Sequence, residues 1–167
     1  MAQEITAPAS ACIPLPPGEI DQLAMLVSSP ATAHLLLNKM VDLQPGDWVL
    51  QSAANSAVGS TVVQMAKARG LRTVNLVRRP EVVDGLKNLG ADHVLVGTDD
   101  LVARIQAGTG GAPIPLALDA IGGETFSLLL KALSKGGTLV SYSQVVHEPG
   151  GMLGCTFPRS WAGQLTQ

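Results

Sequence analysis

The residues best placed to do chemistry lie in the run Ser52-Ala53-Ala54-Asn55-Ser56-Ala57-Val58-Gly59, which joins the apolar segment Trp48-Val49-Leu50-Gln51 to a stretch of helical periodicity. Small residues at a strand-to-helix turn let a helix N-terminus approach an anion, so that free backbone N–H groups meet a phosphate. Asn55 and Ser56 add polar side chains for phosphate oxygens. About twenty residues further on, past the next apolar run, stand Arg78 and Arg79. A guanidinium is a rigid fork of donors that matches phosphate and stacks on an adenine face.

The spacing is that of a dinucleotide-binding turn. The three glycine positions of that fingerprint are occupied here by Ala54, Ser56 and Gly59, so only the third glycine is kept. Where NAD is bound, an acid at the end of the second strand usually holds the ribose 2′-hydroxyl. Two arginines at that place predict NADP(H) instead. Arg78 is assigned to the 2′-phosphate with Arg79 in support, and the two can exchange roles. The competing reading is an ordinary strand–turn–helix connection followed by a solvated strand end.

Asp119, followed by Ala120-Ile121-Gly122-Gly123, closes a fourth apolar run. Strand ends of this kind face the ligand crevice of open α/β sheets. Asp119 either faces that crevice or caps the helix beginning near Gly123. Tyr142 and Ser143 follow a fifth run and line the same crevice, but nothing nearby marks Tyr142, the one tyrosine of the chain, as a proton donor. No catalytic residue is assigned. His34, His93 and His147 have no Cys, Asp or Glu at metal-ligand spacing, so no metal site is expected. Protease, esterase and P-loop patterns do not occur.

The elements that must position these groups alternate. Residues 1–18, rich in proline, form an extended lead-in. A short helix is predicted over Glu19–Val27, and a second over 30–42 with Ser29 as its cap and Pro30 in the first turn. After the Gln44-Pro45-Gly46-Asp47 turn come strand Trp48–Gln51, helix Ala57–Arg69, strand Thr73–Val77, and a helix opened by Pro80 and ending near Gly90. Strand His93–Val96, helix Asp99–Gln106, strand Leu116–Asp119, helix Gly123–Leu133 and strand Gly137–Ser141 complete the series. Strands separated by helices require parallel pairing, hence a Rossmann-like, doubly wound α/β domain over 19–146. Residues 147–167 form an irregular tail.

Composition agrees with buried parallel strands. Of the 167 residues 46% are hydrophobic and only 14% charged, and aromatics amount to 3%, so the core is aliphatic. The net charge of −2 and scattered basic residues give no electrostatic footprint for nucleic acid or an anionic membrane. No run approaches the ~18 apolar residues of a membrane span. Cys12 and Cys155 form no paired framework, and no signal-peptide pattern opens the chain, so a reducing compartment, the cytoplasm, is expected.

The segments Leu43-Gln44-Pro45-Gly46-Asp47, Asn55-Ser56-Ala57-Val58-Gly59, Leu86–Val94 and Lys135-Gly136-Gly137-Thr138 together resemble the medium-chain dehydrogenase/reductase superfamily over about 13–145. The closest likeness is to its zinc-independent branch of mitochondrial-type trans-2-enoyl-CoA reductases, with quinone oxidoreductases nearby. The resemblance implies NADPH as cofactor, hydride delivery to the β-carbon of a 2-enoyl thioester and protonation at the α-carbon. It implies that Asn55, Ser56, Ala57 and Val58 cradle the pyrophosphate beside Gly59, that Arg78 and Arg79 hold the 2′-phosphate, and that Ser29 and Thr32 lie near the nicotinamide. Tyr142 to Val145, with Ser143 among them, would line the cofactor's other side. Ser29 stands where the family has asparagine. Family members also carry a GroES-like catalytic domain, which this sequence lacks, so weak or absent turnover by the chain alone is expected. A quinone in place of the enoyl thioester, or a non-catalytic NADP(H)-binding module, are the alternatives. Self-association into a homodimer through exposed apolar surface is a further expectation.

Overall fold

A computed structural model describes residues 6–143. The tail expected over 147–167, with His147 and Cys155, lies outside the described residues, as do Gln144 and Val145. Among the described residues of the lead-in, a 3₁₀ turn spans Ala9–Ala11. Helix α1 spans Ile20–Leu26 and α2 spans Ser29–Lys39. Strand β1 (Trp48–Gln51) leads to α3 (Ala57–Ala68), and β2 (Arg72–Val77) to a 3₁₀ turn at Pro80–Val82 and α4 (Val83–Asn88). Strand β3 (His93–Val96), α5 (Leu101–Thr109), β4 (Leu116–Asp119), α6 (Gly123–Ala132) and β5 (Thr138–Ser141) follow.

The five strands are all parallel, in the order β3-β2-β1-β4-β5. The chain therefore reverses its direction of travel across the sheet between β1 and β4. Alternation along β1 divides the core. Val49 points with Leu116 and Leu118 to the face covered by α2 and α3, where Ala33, Leu37, Val62 and Ala66 pack. Trp48 and Leu50 point with Val74 and Leu76 to the face covered by α5 and α6, against Leu101, Ile105 and Leu129. A third cluster, around Val63, Val77 and Leu86, seats α3 and α4 over β2. This is a doubly wound sheet with both faces buried, which is why its strands read as continuous apolar runs.

Turn chemistry punctuates the series as the residues require. Asp47 accepts a hydrogen bond from the Gln44 N–H through Oδ2 at 2.8 Å, and Gly46 supplies the left-handed φ of 95°. At the same end of β1 the Arg72 guanidinium lies 4.1 Å from the centroid of the Trp48 ring, which also stacks on the His93 ring at 5.4 Å.

Several boundaries differ from expectation, and one difference matters for the site. Ser29 is not a cap. It is the first residue of α2 and is buried, while Ser28 holds the cap position without a side-chain cap bond. Proline is tolerated one place later than expected because the N–H groups of a helix's whole first turn lack partners. Helix α2 ends at Lys39 rather than 42, where the Arg69 guanidinium takes the Leu37 carbonyl at 2.7 Å and the Leu43 carbonyl at 3.2 Å. Helix α5 begins later than Asp99, because Asp100 is left-handed with φ 47°, and it runs on to Thr109 before two left-handed glycines, Gly110 and Gly111.

Candidate functional site

The turn between β1 and α3 leaves several of its backbone N–H groups without partners among the described residues. Ser56 is the N-cap of α3, its Oγ accepting the Gly59 N–H at 3.1 Å. The Ser56 N–H bonds to the Ala53 carbonyl at 2.9 Å, and the Ala54 N–H to the Leu76 carbonyl at 3.2 Å. The N–H groups of Asn55, Ala57 and Val58 have no hydrogen-bond partner among the described residues. They gather at the positive end of α3, which favours an anion there. Ala53 holds the turn in a left-handed conformation at φ 49°, a strained choice for a residue with a Cβ.

Gly59 explains why one glycine of the fingerprint is kept. A Cβ built on it would stand 2.6 Å from the Ala54 carbonyl oxygen and 2.7 Å from the Ala54 Cα. These are backbone atoms that cannot move aside, so only glycine lets α3 sit this close to the turn.

This turn lies where β1 and β4 are neighbours and the chain's direction across the sheet reverses, the place at which open α/β sheets have their ligand crevice. Ser52 Oγ donates to Asp119 Oδ1 at 2.8 Å and accepts the Ala120 N–H at 2.9 Å. Asp119 also accepts the Ile121 N–H at 3.2 Å and the Gly122 N–H at 2.9 Å, and its side chain is fully buried. The capping reading of Asp119 does not hold as stated: Gly122 occupies the cap position of α6, and Asp119 braces the β4–α6 turn from within.

Tyr142 stands on the far side of the crevice, its N–H bonded to the Asp119 carbonyl at 3.0 Å. Its hydroxyl is buried beside Ser56, without a well-formed hydrogen bond to it. Burial pushes the phenol above its usual pKa of 10.0, the Ser56 hydroxyl pulls the other way, and the Asp119 charge raises it further. It is therefore a protonated donor at neutral pH. Ser143 follows it and is exposed.

Arg78 and Arg79 directly follow β2, and both are exposed. Neither makes a hydrogen bond or ion pair with any described residue, so both forks are available.

Comparison with known proteins gives this arrangement its family. Residues 57–164 match the family model described as zinc-binding dehydrogenase. The chain belongs to the zinc-binding dehydrogenase family. This is the medium-chain dehydrogenase/reductase superfamily that the sequence motifs resemble. The chain is 41% identical over 137 residues to the human mitochondrial enoyl-[acyl-carrier-protein] reductase, covering 78% of this chain and 36% of that protein. A mycobacterial protein solved in complex with NADPH superposes with a TM-score of 0.76 at 30% identity, covering 83% of this chain and 43% of that one. A mutant of Etr1p in complex with NADP and crotonyl-CoA gives a TM-score of 0.69 at 28% identity, over 75% and 38% of the two chains. The chain thus spans between a third and a half of the length of these relatives.

The name of the zinc-binding dehydrogenase family implies a metal, and the described residues do not fit one. No group of three or more His, Cys, Asp or Glu side chains converges among them. His34 lies within 3.3 Å of Asn38, His93 stacks on Trp48, and Cys12 is exposed on the lead-in.

No hydrogen bond joins Ser29 or Thr32 to the turn; Thr32 Oγ1 donates back to the Ser28 carbonyl at 2.9 Å.

Two buried polar residues next to the turn escaped the sequence reading altogether. Gln51 Nε2 donates to the Gly59 carbonyl at 3.1 Å and to Asn75 Oδ1 at 2.7 Å. The available signal was an amide closing or interrupting each of two otherwise apolar strand runs, Trp48-Val49-Leu50-Gln51 and Thr73-Val74-Asn75-Leu76-Val77.

Proposed function

We propose that this chain holds NADPH along the C-terminal edge of its sheet and serves in the reduction of the activated C=C bond of a 2-enoyl thioester. The observation that carries the reading is the pairing of two anion sites at one sheet edge. The unbonded N–H groups of Asn55, Ala57 and Val58 receive the pyrophosphate, and the unpaired Arg78 and Arg79 receive the 2′-phosphate. The human enoyl reductase relative and the Etr1p complex with crotonyl-CoA support the substrate class.

When bound, NADPH supplies the hydride for the β-carbon of the enoyl thioester, a proton being added at the α-carbon. The residues of this chain bind and orient. Ser56 and Gly59 keep the first turn of α3 open to the pyrophosphate. Ser52 and Asp119 hold the crevice floor rigid, so that little ordering remains to be done on binding. Tyr142 and Ser143 face the cofactor from β5, Tyr142 as a proton-bearing hydrogen-bond donor. Ser29 and Thr32, at the start of α2, border the nicotinamide end. The reaction is read as zinc-independent, after the branch of the superfamily that the sequence motifs resemble. Efficient turnover is read as needing the further length that the relatives have, which would help exclude water.

Calorimetric titration with NADPH and with NADH tests the reading. Tighter binding of NADPH, with the preference lost in Arg78→Ala, is expected. Equal binding of the two leaves the dinucleotide site but removes the 2′-phosphate assignment. Binding of neither turns the reading toward a non-catalytic interaction module. With a longer form of the protein, preference for a quinone over crotonyl-CoA would replace the thioester by the quinone alternative.

A further inference from the structure

We propose that Gln51, acting through Asn75, sets the distance between the two phosphate sites and is thereby a positioning residue for the NADPH preference; the inference rests on the NADPH reading above. Gln51 is the last residue of β1, and Asn75 is its register partner on β2. Gln51 Nε2 bridges two elements, donating to the Gly59 carbonyl in the first turn of α3 at 3.1 Å and to Asn75 Oδ1 at 2.7 Å. Asn75 Nδ2 carries the connection on to Thr73 Oγ1 at 2.9 Å and to the His93 carbonyl of β3 at 3.0 Å. Gln51 and Asn75 are both fully buried.

Backbone pairing already fixes the register of β1 and β2. What the side-chain bridge adds is a tie from the N-terminal turn of α3 to the strand whose end carries Arg78 and Arg79. A helix that is only packed on a sheet can shift along it by small repacking steps. A helix whose first turn is hydrogen-bonded to the neighbouring strand cannot. The arrangement is not the one that stability alone would select. Gln51 Oε1 is buried and accepts no hydrogen bond among the described residues, so the bridge is kept at the cost of one unsatisfied buried polar atom. A ligand reaching from the α3 turn to the β2 arginines feels that tie directly, because both of its anionic groups must engage at once. A ligand without the 2′-phosphate engages only the turn strongly and is less sensitive to the spacing.

The test compares NADPH and NADH affinity of the full 167-residue chain with those of Gln51→Met and Asn75→Leu, two near-isosteric changes that remove the bridge. The expected result is a loss of about tenfold for NADPH with a several-fold smaller loss for NADH, so that the preference ratio falls. A second readout is coupling at a distance. In the Gln51→Met background, Arg78→Ala should cost NADPH affinity several-fold less than in the parent chain, although Gln51 and Arg78 share no hydrogen bond. If Gln51→Met does not fold, Asn75→Leu carries the same comparison. Equal losses for the two cofactors, or independent effects of Gln51 and Arg78, would show a purely structural bridge and overturn the proposal while the NADPH reading stands. A parent chain without any NADPH preference overturns that reading, and the proposal with it.

Discussion

Ser52 and Asp119, 67 residues apart in the chain, are joined by a 2.8 Å hydrogen bond between Oγ and Oδ1. The bond crosses from the end of β1 to the end of β4, the adjacent strands between which the crevice opens. It forms because Leu118 accepts the Ser52 N–H at 2.9 Å, which extends the β1–β4 ladder into the turn and brings the two side chains together. Ser52 in turn accepts the Ala120 N–H, so one hydroxyl ties both turns of the crevice floor.

Removing that hydroxyl breaks a buried bond to a carboxylate and orphans a buried N–H. Ser52→Ala is expected to lower unfolding free energy by about 2 kcal/mol. Asp119→Ala, which strips acceptors from Ser52, Ile121 and Gly122 together, should cost more, about 3 kcal/mol. Urea denaturation midpoints measure both, and a loss below about half a kilocalorie for Asp119→Ala would contradict the brace.

Two glycine substitutions should move stability in opposite directions. Gly59→Ala places a Cβ 2.6 Å from the Ala54 carbonyl oxygen and should destabilise by about 1–3 kcal/mol, with loss of NADPH binding as α3 is pushed off the turn. Gly85 lies exposed in α4, and a Cβ added there would meet nothing within 4 Å and no left-handed φ. Gly85→Ala should stabilise by about 0.5–1 kcal/mol. Thermal melts of the two variants beside the parent chain check the pair.

Tyr142 is the single tyrosine of the chain, so absorbance of the phenolate titrates this group alone. Burial holds its pKa above 10.0 in the folded chain. Below that pH the phenol is protonated in folded and unfolded states, and its contribution is fully present. As pH rises past the unfolded value of about 10 and through the raised folded value, the unfolded chain releases the proton more readily and stability falls. Tyr142→Phe should abolish this alkaline loss. Because the hydroxyl makes no well-formed hydrogen bond among the described residues, the same change should leave stability at pH 7 nearly unaltered while weakening NADPH several-fold. A phenolate appearing below pH 10 would contradict the buried setting.

The Arg69 fork holds α2 to α3 through the carbonyls of Leu37 and Leu43. Lysine keeps the charge but cannot reach both acceptors in one plane. Arg69→Lys is expected to cost about 1 kcal/mol, and Arg69→Ala about 2, read as shifts in urea midpoint. Equal stability of Arg69→Lys and the parent would mean that charge alone suffices.

Much of the fold was legible because its signals are local. Pro45-Gly46-Asp47, Gly70 and Lys135-Gly136 end or begin elements through their own backbone preferences, and the apolar runs between them mark strands buried on both faces. The turn with Gly59 and the arginines after β2 could be read for the same reason, as their spacing is set within one β–α–β unit. Ser29 misled because a serine before proline satisfies the cap pattern whether the helix starts there or one residue earlier. Gln51 and Asn75 were passed over because an amide in a strand gives no hint of its partner on another element.

By itself, then, the sequence determined which segments become strands and helices, where the small-residue turn between β1 and α3 falls, and which end of β2 carries the arginines, all through interactions within a few turns of chain. Only the tertiary structure decided that Asp119 braces a turn instead of capping a helix, that Tyr142 buries its hydroxyl beside Ser56, and that Gln51 reaches Gly59 and Asn75 at once. Those relationships depend on strand order. In a parallel sheet, neighbours are chosen by how crossover helices pack on the two faces, and that choice places β4 beside β1 across a long interval of sequence.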